Sequence, residues 1–152
     1  LFRSKGSRIL DVAAGVSSFR YEAHQAGLDV TAFDAIYGMD PDEIKHRCEA
    51  DLDHVVQAIQ GLKTYRWDFY KSPKTMRQFR EAAYRSFLTD YRTQGSKCYV
   101  PGLLPELPFA DASFDLSLVS YLMFVYEDQF DYEFHKQALL EIMRVTRGEA
   151  RF

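Results

Sequence analysis

Two acidic residues, Asp11 and Asp34, each close a short apolar run, and a turn of small residues containing Gly15 follows the first of them. A helical pattern comes after that turn. A strand, a tight turn and a helix in this order form the part of an open α/β sheet that binds nucleotide-like ligands. Gly15 and Asp34 are separated by close to the twenty or so residues expected between such a turn and an acid that binds a ribose. The pattern therefore predicts one crevice flanked by both carboxylates.

The elements that must position these residues alternate along the chain. Apolar runs predict strands at 8–13, 29–36, 97–100 and 114–120, and GEARF, from Gly148, begins to resemble a fifth. Helical patterns start after Ser17 or Ser18, at Asp40-Pro41, at Ser72-Pro73 and at Asp131, where a capping side chain or a proline favours the first turn. This alternation predicts an α/β fold with a doubly wound, mostly parallel Rossmann-like sheet and a helical insertion after the second strand.

Length, charge and hydropathy limit the classes of protein. The 152 residues suit one domain, 1–152, and a net charge of −3 argues against a general polyanion binder. No apolar run reaches the length of a membrane span and no signal-peptide pattern opens the chain, so we expect a cytoplasmic protein without a membrane partner. Cys48 and Cys98 are expected to be reduced thiols, and the four histidines lack the spacing of metal ligands. Because the chain starts without a methionine and stops as GEARF begins to resemble a strand, we expect a fragment or a chain shortened at both ends.

A basic segment lies in the second half of the inserted region. Residues 63–97 contain nine Lys or Arg and three Asp or Glu, a formal charge of +6. Basic residues interleaved with aromatic ones can bind single-stranded nucleic acid. The alternative, which we favour, is an amphipathic lid at about 37–96 whose aromatics pack inward and whose cations are solvated. Such a lid would shape the pocket for a small-molecule substrate.

Four segments in order, ILDVAAG, VTAFD, LPFADASFDLSLVS and EIMRVTRGEA, resemble the class I S-adenosylmethionine-dependent methyltransferases. The stretch LPELPFADASFDLSLVSYLMFVYEDQ followed by EFH is similar to a bacterial branch of that family whose members have no assigned substrate. The chain departs from the family in two places. Glycines are usual two, four and six residues after the first acid, where this chain has Ala13, Gly15 and Ser17. An acid is common after the third strand, where this chain has Leu103.

The resemblance implies that the cofactor is S-adenosyl-L-methionine and that the reaction is an in-line methyl transfer. Asp11 would lie near the methionine end and Asp34 would accept hydrogen bonds from the ribose hydroxyls. The other implied cofactor contacts are Ala13, Ala14, Gly15 and Ser17 at the turn, Ala35, Leu103 and Leu104 around adenine, and Ser120 and Tyr121 beneath the methyl group. The aromatic faces of Tyr121 and Phe124 would favour the cation. No catalytic residue is assigned.

Other interpretations stay open at this point. Asp34 could cap the next turn, Asp11 could accept hydrogen bonds from local amides, and Tyr121 and Phe124 could be core aromatics. For the whole chain, the alternative is a non-catalytic cofactor-binding or interaction domain with a methyltransferase-like fold. A nicotinamide-dependent oxidoreductase is disfavoured because GxGxxG is absent. An uncovered edge strand would favour a homodimer.

Overall fold

Strands and helices alternate through most of the chain in the computed structural model, which describes residues 6–60, 62, 64–123, 126 and 128–152. The strands are β1 (Arg8–Val12), β2 (Asp29–Asp34), β3 (Tyr99–Pro101), β4 (Phe114–Val119) and β5 (Thr146–Arg151). The α-helices are α1 (Phe19–Gln25), α2 (Pro41–Gln60), α3 (Pro73–Gln94) and α4 (Tyr132–Val145). Short 3₁₀ turns at Ala35–Gly38 and Gly95–Lys97 precede α2 and β3.

The five strands form one parallel sheet in the order β3-β2-β1-β4-β5. The predicted α/β fold with a parallel sheet is therefore confirmed. Two strands begin elsewhere than predicted: β3 starts at Tyr99, and β5 starts at Thr146, directly after α4. The strand order reverses between β1 and β4, and ligands of open α/β sheets bind beside the carboxyl ends of strands at such a reversal.

Helices cover both faces of the sheet. Successive residues of a strand point to opposite sides, so each strand contributes side chains to both layers. Ile9 of β1 packs with Ala23 of α1 on one face. Leu10 and Val12 pack on the other face in a cluster that contains Ile142 of α4. Alternation places the side chain of the next residue after Leu10, Asp11, on the same face as Ile9.

Two long helices, α2 and α3, lie between β2 and β3. Both begin where the sequence predicts: the Asp40 carboxylate accepts a hydrogen bond from the Asp42 amide at 2.8 Å, and the Ser72 hydroxyl accepts one from Thr75 at 3.1 Å. An aromatic cluster joins α3 to the sheet and the first 3₁₀ turn. Its members are Tyr37, Tyr84, Phe87, Tyr91 and Tyr99. The inward face of α3 is therefore fixed by packing against residues far from it in the chain.

A buried ion pair also attaches α3 to the sheet. The guanidinium of Arg20 in α1 donates to the carboxylate of Asp90 in α3, and both side chains are almost fully buried. The Tyr99 hydroxyl donates to the same carboxylate at 2.6 Å, and Arg20 Nε donates to the Val30 carbonyl at 3.3 Å. Helices α1 and α3 and strands β2 and β3 therefore meet at one buried polar cluster, in which the charged groups have hydrogen-bond partners.

Candidate functional site

The turn after β1 has two residues in the left-handed region of backbone conformation. Gly15 has a φ of +55°, and Ala13 has a φ of +54° although it carries a Cβ atom. For an L-residue this conformation costs about 1 to 2 kcal/mol. The Ala14 amide donates to the Phe33 carbonyl at 3.2 Å, which keeps the turn against the end of β2. The strained turn is thus held at the reversal point of the sheet.

Asp34 connects this turn to the end of β2. Its Oδ2 accepts from the Gly15 amide at 2.9 Å, and its Oδ1 accepts from the Ile36 amide at 3.1 Å. The bond from the Ile36 amide caps the 3₁₀ turn, so the capping role considered as an alternative to ribose binding is present in the structure. A carboxylate has about four acceptor positions, so Asp34, which is only half-buried, keeps room for further donors.

Two tyrosines support the same turn from behind. The Tyr37 hydroxyl donates to the Gly15 carbonyl at 2.8 Å. The Tyr91 hydroxyl of α3 donates to the carbonyls of Tyr37 and Met39, the latter at 3.1 Å. These bonds couple the position of the turn to that of α3.

Asp11 is a buried carboxyl group, 5% exposed, near the carboxyl end of β1. Among the residues that the structure describes, none donates a hydrogen bond to it, contrary to the alternative in which it binds local amides. Burial raises the pKa of Asp11 to about 7, and the negative charge of Asp34 contributes to the rise. Asp11 therefore titrates near neutral pH, and a cation placed beside it would favour its charged form.

An apolar hollow of about 200 Å³ opens on one side of Asp34. Five residues predicted from the sequence line it: Ala13, Asp34, Ala35, Leu103 and Leu104. The remaining lining residues were not predicted as site residues: Phe33, Gly102, Leu122, Phe130 and Phe134. In the sequence these aromatic and aliphatic residues have the pattern of ordinary core positions, so no local signal distinguishes them.

The loop between β3 and β4 carries the Leu103–Leu104 wall of the hollow, and α4 anchors the later part of this loop. The Arg144 guanidinium donates to the Leu107 carbonyl at 3.1 Å and pairs with Asp111 at 2.6 Å. Glu141 accepts from the Leu107 amide at 3.0 Å. The ion pair with Arg144 therefore gives Asp111 a structural role in holding the loop before β4.

A larger cavity of about 730 Å³ lies on the other side of Asp34, between the β1 turn and helices α2 and α3. Gly15 and Ser17 line its sheet end, and Asp34 borders both spaces. The structure thus brings seven predicted residues to two adjoining cavities. They are Ala13, Gly15, Ser17, Asp34, Ala35, Leu103 and Leu104.

Four other predicted residues line neither cavity. Asp11 is buried behind the turn, and Ala14 packs at the edge of the aromatic cluster. Ser120 and Tyr121 follow β4 and point to solvent, with Tyr121 87% exposed and at a φ of +61°. Phe124 lies outside the described residues.

Half of the eight basic residues that the structure describes in the basic segment have a carboxylate neighbour; Lys63 lies outside those residues. Carboxylates lie within ion-pair distance of four of its arginines: Arg66, Arg77, Arg85 and Arg92. Tyr84 and Tyr91 are buried, whereas Phe69 and Phe79 are exposed. Within the described ranges, no group of three His, Cys, Asp or Glu residues is close enough to hold a metal ion, and Cys48 and Cys98 are half-buried free thiols.

No described helix combines the length and apolar character that crossing a membrane requires.

Fold and site together define an α/β protein with a parallel Rossmann-like sheet and a ligand-sized crevice at its reversal point. No protein-family model matches the chain. It is 34% identical over 142 residues to the uncharacterized protein MJ0045 of Methanocaldococcus jannaschii. The match covers 92% of this chain and 64% of that protein, so the chain spans somewhat less than two thirds of its relative's length.

Proposed function

We propose that this protein is a class I S-adenosylmethionine-dependent methyltransferase that acts on a small molecule. The observation that supports this most is the position of Asp34. Its carboxylate holds the glycine turn after β1 and borders both the apolar hollow and the larger cavity. An apolar slot suits the base of a nucleoside, an acid beside it suits the sugar, and a second, larger space suits a reactive substituent and its acceptor.

The described residues fit the adenosine part of the cofactor. Ala35, Leu103 and Leu104 would contact adenine in the hollow, and Asp34 would accept from the ribose hydroxyls through its remaining acceptor positions. The aromatic side chains of Phe130 and Phe134 supply further apolar wall. Adenine recognition would therefore depend on shape and apolar contact, since Leu103 stands where the family often has an acid.

The methionine part would lie towards Asp11 and the β1 turn. Asp11 is a buried carboxyl without a described donor, and the ammonium group of the cofactor would supply the missing positive partner. When bound, the cofactor supplies an electrophilic methyl group on a sulfonium sulfur. Ala13, Ala14 and Gly15 would bring backbone close to it, and Tyr37 would hold that backbone in place.

Helices α2 and α3 are proposed to be an insertion that acts as a lid over the acceptor. They enclose the larger cavity against the β1 turn and would exclude water from it. Holding an acceptor in line with the methyl group accounts for much of the rate of a displacement reaction. The protein's own contribution to the rate would thus be orientation of the acceptor. Ser120 and Tyr121 line neither cavity and would contact the cofactor only if the loop after β4 turned inward.

A non-catalytic cofactor-binding domain is the second candidate. The observation that favours it is that Ser120 and Tyr121 point to solvent and line neither cavity. A turnover assay separates the two candidates, because a methyltransferase releases S-adenosylhomocysteine only when an acceptor is present. Failure of every acceptor class to support release would favour the non-catalytic domain.

Calorimetric titration with S-adenosylhomocysteine tests the cofactor site. We expect binding by the unmodified chain, no binding of NAD, and a loss of at least about tenfold in affinity for Asp34→Ala, since charge-assisted hydrogen bonds contribute about 1.5 to 3 kcal/mol each. Asp29→Ala is the matched control, because Asp29 is an exposed acid at the opposite end of the same strand. Binding of NAD alone, or equal affinity in Asp34→Ala, would contradict the proposal.

Asp34→Ala also removes the acceptor for the Gly15 and Ile36 amides. Its thermal unfolding is therefore measured alongside, and affinity is compared only at temperatures where both variants are folded.

A further inference from the structure

The larger cavity has an apolar body. Half of its lining residues come from the first 3₁₀ turn, the residue that follows it and α2, and the apolar ones among them are Ile36, Met39, Ile44, Leu52 and Val55. Its volume of about 730 Å³ is within the range of pockets that enclose small organic ligands. An apolar skeleton would bury its surface there favourably.

Two polar groups of α3 face this space, one helical turn apart. Tyr84 is 5% exposed, and its hydroxyl forms no hydrogen bond with any residue in the described part of the chain. Arg80 precedes it by four residues and therefore lies on the same side of the helix. The hydroxyl oxygen is not itself sealed off, so it borders open space, and with no partner among the described residues it can hydrogen-bond a ligand in the cavity.

Arg80 differs from the neighbouring arginines of its helix. Arg77 pairs with Asp53 at 2.6 Å and with Glu81 at 3.0 Å, and Arg85 lies 3.9 Å from Glu81. Arg80 has no carboxylate within ion-pair distance among the described residues. It lines the cavity and is exposed, which puts its guanidinium at the rim.

The other charged residues of the cavity do not neutralise Arg80. Arg47 is paired with Glu43 at 2.9 Å, and Asp51 lies on the lining without an ion pair to a described residue. Asp34, at the sheet end, already accepts two backbone hydrogen bonds. The rim therefore keeps one cation available to an incoming group.

We propose that the acceptor is an apolar small molecule bearing one carboxylate or phosphate group, with Arg80 binding the anion and Tyr84 donating a hydrogen bond to a polar atom further in. The inference rests on the proposed function, because it takes the larger cavity to be the acceptor side of the same site. Guanidinium geometry matches carboxylate and phosphate oxygens equally well, so the two head groups are separated by experiment.

The test is calorimetric titration of the full chain with four probes that share an eight-carbon apolar chain: nonanoate, octyl phosphate, octanol and octylamine. We expect at least one anion to bind about tenfold more tightly than octanol and octylamine. The tighter of the two anions identifies the head group. Arg80→Gln should remove this preference, and Tyr84→Phe should weaken anion binding about threefold or more while leaving the aromatic packing intact.

Arg85→Gln is the matched control, because Arg85 lies on the same helix and does not line the cavity. Equal binding of octanol, no binding of either anion, or an unchanged preference in Arg80→Gln would overturn the inference. Parallel titration with S-adenosylhomocysteine distinguishes its failure from that of the proposed function. Cofactor binding without an anion preference rejects only the acceptor class, and an Arg80-dependent anion preference without cofactor binding rejects only the methyltransferase.

Discussion

The Asp11 carboxyl is buried beside a second acid, an arrangement that opposes its ionisation. Its pKa rises to about 7 from an ordinary value of 3.8, so the folded protein holds a proton here that the unfolded chain releases near pH 4. Folding stability that depends on this proton is fully present below about pH 4 and is lost as the pH rises to about 7. Ionised Asp11 destabilises the fold unless a cation accompanies it.

Asp11→Asn should therefore be more stable than the unmodified protein at pH 8, and the difference should disappear towards pH 4. One pKa unit corresponds to about 1.4 kcal/mol, so we expect a gain of about 2 to 4 kcal/mol at pH 8. Urea unfolding at several pH values measures it, with Asp29→Asn as the control for an exposed acid. A difference that does not vary with pH would show that burial of charge is not the cause.

Cofactor affinity should follow the opposite trend. The ammonium group at the amino-acid end of S-adenosylhomocysteine would bind better when Asp11 is ionised, so the affinity for this ligand should rise from pH 6 to pH 8. Calorimetry at the two pH values checks this, and Asp11→Asn should remove the increase. The same residue would then reduce stability and increase affinity, as is common where a site needs a buried charge.

At the scale of elements, α3 is attached to the sheet through one polar cluster and one aromatic cluster. Arg20 and Asp90 are both buried, and Tyr99 completes the cluster. Removing one partner of a buried ion pair costs about 3 to 5 kcal/mol because the other charge is left without compensation. Surface pairs contribute roughly 0 to 1 kcal/mol.

Arg20→Met should thus lower the free energy of unfolding by about 3 to 5 kcal/mol, and adding Asp90→Leu with Tyr99→Phe should recover most of the loss. Arg66→Met, which breaks an exposed pair with Asp68, should change it by less than about 1 kcal/mol. Urea unfolding at pH 7 compares the free energies of unfolding of Arg20→Met, the triple variant and Arg66→Met with that of the unmodified protein. An Arg20→Met protein no less stable than Arg66→Met would contradict a structural role for the buried pair.

Across the whole molecule, the positive segment is partly neutralised by nearby carboxylates. Four of its arginines have carboxylate neighbours, and two of its tyrosines are buried. Binding to nucleic acid depends on cations that neutralise phosphates and release counterions. This arrangement favours a lid over a nucleic-acid-binding surface as the role of the segment. The homodimer expected from an uncovered edge strand stays a prediction.

We therefore expect no salt-dependent binding of a single-stranded oligonucleotide. Fluorescence anisotropy of a labelled twenty-nucleotide strand at 50 and 200 mM salt checks this. A nucleic-acid surface would bind at 50 mM salt and lose affinity steeply at 200 mM, since several phosphate contacts change the affinity by orders of magnitude over this range. Such a loss would reject the lid as the sole role of residues 63–97.

Much of the architecture was predictable because its signals are local. Apolar runs of strand length alternate with helical periodicity, and the starts of α2 and α3 are specified by capping side chains and prolines within one turn. The parallel sheet follows from that alternation, and the spacing of Gly15 and Asp34 follows from chain order. The start of β5 at Thr146 was missed because no turn residue separates it from α4.

Local patterns were enough to predict the kind of sheet and the acids at or near the ends of its first two strands. Folding was needed to select the apolar residues that form the wall of the hollow, to bury Asp11 so that its pKa rises to about 7, and to bring Arg20 to Asp90. It also turned Ser120 and Tyr121 towards solvent. The reason is physical: local patterns fix backbone conformation, whereas pKa values, cavities and buried pairs depend on groups far apart in the chain that folding brings together.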